Sequence, residues 1–190
     1  MTLRFSNAIA RTPARSVTQG LRAVDTGAPN YEALLAEHAA YVAALEQAGV
    51  AVEILPPLEA YPDSVFVEDT SLVFTNAAIQ LRPGAPTRAG EAAEIAPTLA
   101  RRFERVFQLK TGAADGGDIL TTPRGVLIGQ SARTSADGAQ ALVALLAQLG
   151  LKGIPVQTPP GVLHFKSDCS LLDDETIFAT PALAASGVFD

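Results

Sequence analysis

The chain has 190 residues, 48% hydrophobic and 18% charged, which suits one globular domain with a core of its own. A net charge of −6 and a pI near 4.9 disfavour a nucleic-acid binder, which would carry a basic stripe. The single cysteine, Cys169, excludes an internal disulfide framework and a Cys-based zinc site, and two histidines, His38 and His164, are too few for a His-rich metal centre.

At the N-terminus, Arg4, Arg11, Arg15 and Arg22 precede the first acid, Asp25, as in a transit peptide, but Pro13 and the strand-like Leu3–Ile9 oppose the amphipathic helix such a peptide needs. No run approaches a membrane span; the longest apolar-rich stretch, Ala139 to Leu151, is interrupted by Gln148. The expectation is a cytoplasmic protein. Tyr31, Leu34, Leu35, His38, Val42 and Leu45 then fall at helical spacing, Gly49 stops the run, and Val50–Leu55 reads as a strand. On that apolar helix face His38 reads as structural.

A second unit follows: strand Val65–Phe74, a turn at Asn76, strand Ala78–Leu81, a helix over about 87–104, and strand Val106–Leu109. Pro97 is expected to kink or split that helix. Arg101, Arg102 and Arg105, interrupted by Glu104, read as a solvated face. The third unit runs through strand Asp118–Thr121, a turn at Pro123-Arg124-Gly125, strand Val126–Ile128, a helix capped near Ser135 and ending at Gly150, and strand Ile154–Gln157. The fourth begins with strand Leu163–Leu172, a turn at Asp173-Asp174 and strand Thr176–Ala179. Thr180-Pro181 then announces a helix, with Thr as cap and Pro at the first position. Strand, strand, helix, strand recurs about every 50 residues, as in a stacked or radial repeat.

Chemistry concentrates in three segments. Pro62-Asp63-Ser64-Val65-Phe66-Val67-Glu68-Asp69-Thr70 places three carboxylates in an apolar stretch holding no Lys or Arg. Burying carboxylates is costly without a cation, and a ligand guanidinium, planar and with five N–H donors, is an apt one. Phe66 could stack on its plane. An extended strand would not gather all three acids, so a bend at Pro62 or after Glu68 is required. The plainer reading has Asp63 capping a turn, Glu68 in solvent and Asp69 bonding backbone amides; composition alone leans that way.

Asp115-Gly116-Gly117-Asp118 is the second segment, where two glycines permit close backbone approach between two acids. It also reads as an ordinary acidic loop, and its ligand count falls short of a calcium loop. Leu163-His164-Phe165-Lys166-Ser167-Asp168-Cys169-Ser170 is the third. His164 paired with a carboxylate would be a competent general acid/base, although a lone strand histidine is more often structural. Strand alternation puts Cys169 on the face opposite His164, as a small buried residue. Arg88 and Arg133, each just before or at a helix start, are poor dipole choices there and could bind a ligand carboxylate or form surface salt bridges.

Taken in order, Ile9-Ala10-Arg11-Thr12-Pro13-Ala14-Arg15, Pro62 to Thr70, Arg82-Pro83-Gly84-Ala85 with Arg88, Asp115 to Leu120, Gly129 to Thr134 and Leu163 to Ser170 resemble the dimethylarginine dimethylaminohydrolases of the guanidino-group-modifying superfamily. The resemblance spans nearly the whole chain. It implies an α/β fold, a pentein-like β/α propeller of repeated ββαβ units, with residues 1–190 a single guanidino-hydrolase-like domain truncated before the fifth blade closes it. The reaction it implies is attack of a cysteine on the guanidino carbon, departure of the alkylamine, and hydrolysis of the thiouronium to citrulline. His164 would be the acid/base and Asp115 the orienting acid. Asp63, Glu68 and Asp69, with Phe66 beside them, would surround the guanidinium. Arg88, Arg133 and the backbone of Leu21 would hold the amino-acid end.

No metal or organic cofactor is implied, and the partner is a small guanidino amino acid rather than nucleic acid or membrane, with room for a homodimer. The family's nucleophile lies in a Gly-Gly-x-Ser-Cys-like segment near its C-terminus, which nothing here matches, so the 190 residues are expected to be inactive alone. Two other readings stay open: an arginine deiminase-like hydrolase acting on unmethylated substrate, and a non-catalytic module that binds guanidino ligands.

Overall fold

The computed structural model describes residues 5–189, which divide into two compact units, residues 5–67 and residues 68–189. In the first, strand β1 (Asn7–Arg11) pairs in parallel with β2 (Ala51–Leu55), register Asn7 to Ala51 through Arg11 to Leu55. The start of the expected strand Leu3–Ile9 lies outside the described residues; pairing begins at Asn7. Helix α1 (Tyr31–Gln47) makes the crossover that parallel strands need. Asn30 caps it, its side chain accepting from the Ala33 N–H at 3.0 Å. Gly49, at φ +86°, takes the left-handed conformation that turns the chain into β2.

The second unit contains the repeat twice in full. Strands β3 (Ser71–Val73) and β4 (Ala77–Gln80) pair antiparallel, helix α2 (Glu91–Arg102) crosses over, and β5 (Arg105–Gln108) returns parallel to β4. Strands β6 (Ile119–Thr122) and β7 (Gly125–Gln130), helix α3 (Ala136–Ala147) and β8 (Gly153–Gln157) repeat that order and those directions. Then come the antiparallel β9 (Cys169–Leu171) and β10 (Ile177–Ala179), and α4 (Pro181–Ala184). Ser135 caps α3 through the Gly138 N–H, and Thr180 caps α4 through the Leu183 N–H, both as expected.

Burial follows from the pleat. Ala77, Ala78 and Ile79 are all fully buried, as suits a middle strand covered on both faces. Along β6, Ile119 faces a core with Ile79, Ile128, Leu142 and Leu146, while its neighbour Leu120 faces a second core with Phe165, Cys169 and Leu183. One strand thus serves two hydrophobic layers and anchors the loop that precedes it.

Five expectations are corrected. Residues 62–65 turn, Val67–Thr70 form a single 3₁₀ turn, and only Ser71–Val73 of the expected strand Val65–Phe74 is β. The Ser64 and Phe66 N–H groups bond back to the Tyr61 and Asp63 carbonyls at 3.0 Å, which an extended chain cannot do. Likewise Phe165–Ser167 form a 3₁₀ turn before the short β9, and Gly116–Asp118 form one before β6. The helix expected over 87–104 divides before Glu91, where the 3₁₀ turn Pro86–Arg88 gives way to α2. Pro97 does not split α2; buried Ile95, Thr98 and Leu99 on either side hold the helix through it.

Candidate active site

Leu21, Asp63 and Phe66 belong to the first unit. The turn at Pro62 carries the buried Asp63 carboxylate to the Leu21 N–H, which donates to Oδ1 at 3.0 Å and Oδ2 at 3.3 Å. Phe66, at the end of the turn, is 59% exposed.

In the second unit the 3₁₀ turn gives Glu68 and Asp69 different surroundings. The Glu68 side chain is mostly exposed and pairs with Lys166. Asp69 is buried; its Oδ1 accepts the Gly117 N–H at 2.9 Å and its Oδ2 accepts Arg88 Nη1. Arg88 also forks onto Glu91, Nε to Oε1 at 3.0 Å and Nη2 to Oε2 at 2.7 Å. Asp69, bonding the Gly117 amide, fits the plainer reading of the acidic segment, whereas Asp63 bonds the distant Leu21 N–H rather than capping its own turn and Glu68, though mostly exposed, pairs with Lys166. Arg88 and Lys166 supply cations that the segment lacks, so part of its counter-charge comes from the protein itself. Arg88 is no surface ion pair: its side chain is 4% exposed. Burial alone would lower its pKa, but the hydrogen bonds to Glu91 and the charges of Asp69 and Glu91 hold it above the ordinary arginine value.

The Asp115–Asp118 loop sits on top of β6, and both acids are fully buried. Asp115 Oδ1 accepts the Gly84 N–H at 2.6 Å, and its Oδ2 lies 3.4 Å from Arg133 Nη1 and 3.8 Å from His164 Nε2. Asp118 Oδ1 accepts the Phe165 N–H at 2.9 Å, and Oδ2 accepts the hydroxyls of Ser131 and Thr134, each at 2.7 Å. His164 Nδ1 lies 3.5 Å from that same Oδ2. The sequence requires glycine between the acids: a Cβ on Gly117 would stand 2.9 Å from His164 Cγ and 3.0 Å from Asp69 Oδ1. The imidazole therefore lies against bare backbone.

Asp69, Asp115, Arg88, Arg133 and His164 thus come together in one unit. Counting Asp69, Glu91, Asp115 and Asp118 against Arg88 and Arg133 leaves an excess of acid in a buried setting. Burial pushes the Asp115 carboxyl up from its ordinary value, outweighing the Gly84 N–H and the His164 and Arg133 charges. Burial opposes protonation of His164, yet the nearby Asp118 carboxylate and the charges of Asp69 and Asp115 raise its pKa overall. One ligand atom each from Asp69, Asp115 and His164 falls within 4.8 Å of the others. Three such donors could hold a divalent cation, but two carboxylates and an imidazole facing one point also suit a guanidinium.

Asp118, Glu91, Ser131 and Thr134 carry the site without having been assigned to it from the sequence. Asp118 was visible in the Asp-Gly-Gly-Asp spacing, but its role depends on loops far along the chain. Cys169 is buried, its thiol donating to the Phe165 carbonyl at 3.3 Å, and burial pushes its pKa up to about 11. It has neither the exposure nor the acidity of a nucleophile.

A ββαβ repeat whose loops gather these groups defines an α/β protein of the pentein class, and comparison with known proteins agrees. The chain is 41% identical over 177 residues to N(G),N(G)-dimethylarginine dimethylaminohydrolase of Pseudomonas aeruginosa, covering 92% of this chain and 69% of that protein. It is 36% identical over 172 residues to the Streptomyces coelicolor protein of the same name, covering 90% and 66%. A solved structure of a dimethylarginine dimethylaminohydrolase variant, an adduct with S-methyl-L-thiocitrulline, superposes with a TM-score of 0.94 at 38% identity, over 98% of this chain and 74% of that one. The N-terminal domain of ArgZ, a cyanobacterial arginine dihydrolase, shares the fold at a TM-score of 0.80 and 16% identity, over 92% and 66%. No protein-family model matches. The chain belongs to the dimethylarginine dimethylaminohydrolase family, and it spans about two thirds of the length of those curated relatives. Among the described residues no helix is long and apolar enough to cross a membrane.

Proposed function

We propose that these residues form the guanidinium-binding and proton-transfer part of a hydrolase acting on guanidino C–N bonds, with N-methylated arginine as substrate. The observation that carries this is the convergence of Asp69, Asp115 and His164 within 4.8 Å in a buried setting with excess negative charge. Asp69 and Asp115 would receive the guanidinium N–H groups. Glu68 would complete its surroundings, and Arg88 and Arg133 would hold the amino-acid end; roles for Leu21, Asp63 and Phe66, which belong to the first unit, rest on the family resemblance alone. Arg88 would act partly through Asp69, which it already grips.

In the full reaction a cysteine thiolate adds to the guanidino carbon. The C–N bond to the alkylamine breaks as His164 delivers a proton, and methylamine or dimethylamine leaves. Water, deprotonated by His164, then attacks the thiouronium carbon, and the thiol departs to leave citrulline. Cys169, buried and of raised pKa, is not that thiol. The 190 residues alone therefore bind substrate without turning it over, and catalysis needs a thiol from outside them.

The test is citrulline release by the longest natural form of the protein, offered dimethylarginine or arginine. Faster turnover of dimethylarginine supports the reading; equal or greater turnover of arginine moves the protein to the deiminase chemistry. His164→Ala should lower kcat by about 10²-fold or more, and Asp69→Asn should chiefly raise KM. Preserved turnover in the first variant removes His164 as the acid/base.

A further inference from the structure

The imidazole of His164 lies between two aspartates that hold it in different ways. Asp115 approaches Nε2 at 3.8 Å and shares its Oδ2 with Arg133. Asp118 approaches Nδ1 at 3.5 Å and is tied down on every side. Its Oδ1 is held by the Phe165 N–H, one residue beyond the histidine, and its Oδ2 by the Ser131 and Thr134 hydroxyls.

Those hydroxyls have both spent their donor hydrogen on Asp118 and accept on their other side. Ser131 Oγ accepts the Arg133 N–H at 2.9 Å and the Thr134 N–H at 3.3 Å, and Thr134 Oγ1 accepts the Asp115 N–H at 3.2 Å. Asp118 is therefore the hub joining the backbones of Arg133, Asp115 and Phe165.

Nδ1 itself is buried and has no partner at full hydrogen-bond distance. Of the roughly four lone-pair positions of the Asp118 carboxylate, the two on Oδ2 are taken by hydroxyls and one on Oδ1 by the Phe165 N–H, so Nδ1 faces an already bonded anionic oxygen at 3.5 Å. Among the described residues no donor reaches Nδ1, so a lone pair there would be repelled by the carboxylate, whereas an N–H would be attracted to its charge. A Cβ on Gly117 would stand 2.9 Å from Cγ and 3.0 Å from Cδ2, so only a glycine there leaves room for the ring in this position.

We infer that Asp118 is the positioning residue for His164, fixing the Nδ1–H tautomer so that Nε2 alone exchanges protons on the side of Asp115. The tautomer stands on geometry; its use in proton transfer rests on the function proposed above. The charged groups facing the ring are Asp118, Asp115 and Asp69.

Imidazole ¹⁵N NMR on the chain reads this directly, because His38 is the only other histidine and His38→Gln assigns the signals. Above its titration midpoint, His164 should be the Nδ1–H tautomer, opposite to the Nε2–H form that free histidine favours. Asp118→Asn should lower the His164 midpoint by about one pH unit. Asp115→Asn should leave the tautomer as Nδ1–H. An Nε2–H tautomer in the unsubstituted chain overturns the inference whether or not the variants fold, and so does an unchanged midpoint in a folded Asp118→Asn protein. An Nδ1–H tautomer alongside full turnover by His164→Ala would sink the acid/base reading and leave the positioning role standing. Nε2–H with turnover lost would do the reverse.

Discussion

Replacing Glu91 by Gln keeps its shape and removes its charge, which isolates the buried pair with Arg88. The two side chains are 2% and 4% exposed, and Glu91 takes both Nε and Nη2 of the guanidinium. Removing one partner of a buried pair typically costs about 3–5 kcal/mol, because the other charge stays buried. Here the lower end applies: Asp69 still grips Nη1, and the amide oxygen keeps one acceptor. With a urea m-value of about 2 kcal/mol/M, a loss of about 3 kcal/mol lowers the unfolding midpoint by about 1.5 M. The assay is equilibrium urea unfolding followed by circular dichroism, at low and at high salt. Salt should leave the difference nearly intact, since buried charges are weakly screened. Glu32→Gln is the control, because its pair with Arg15 has side chains 73% and 72% exposed and should hardly register. If Glu91→Gln shifts the midpoint no more than Glu32→Gln, the buried network does not hold Arg88 and Asp69 in place.

Two further outcomes follow from the same geometry. Cys169, with its thiol pushed up to about 11, is about one part in ten thousand thiolate at pH 7; iodoacetamide should label it slowly in the native chain and rapidly in urea. Equal rates in both would mean the thiol is open to solvent. The raised His164 pKa makes the folded state bind more protons than the unfolded one, so its contribution is complete below the ordinary histidine value of 6.5 and is lost as pH rises through the folded value. The difference in stability between the chain and His164→Gln should therefore shrink across that interval, and a difference growing with pH would reverse the assignment of charge around the ring.

Legibility divides by the range of the forces at work. Helices α1, α3 and α4 were readable because their caps and periodicities are local: Ser135 bonds three residues ahead, and Thr180 meets Leu183 across one turn. The strands β4, β7 and β8 showed in short apolar runs bounded by turn residues. Segments 65–70 and 163–168 look like strands because apolar residues crowd them, yet each contains a 3₁₀ turn, Val67–Thr70 and Phe165–Ser167, and no strand. What holds them is remote, since Asp69 reaches Gly117 and the Phe165 N–H reaches Asp118, 48 and 47 residues away. No window of sequence contains such a bond.

By itself the sequence determined the ββαβ repeat, the family resemblance and which residue types could serve a guanidinium, because periodicity, caps and motif order are written along the chain. Only the tertiary structure decided how the charges are shared. It gave Asp69 to Arg88 and the Gly117 N–H, set Asp115 and Asp118 on opposite nitrogens of one imidazole, and buried Cys169 in a core. The physical reason is that a buried carboxylate takes its role from whichever donors surround it, and those donors arrive from loops that only folding brings together.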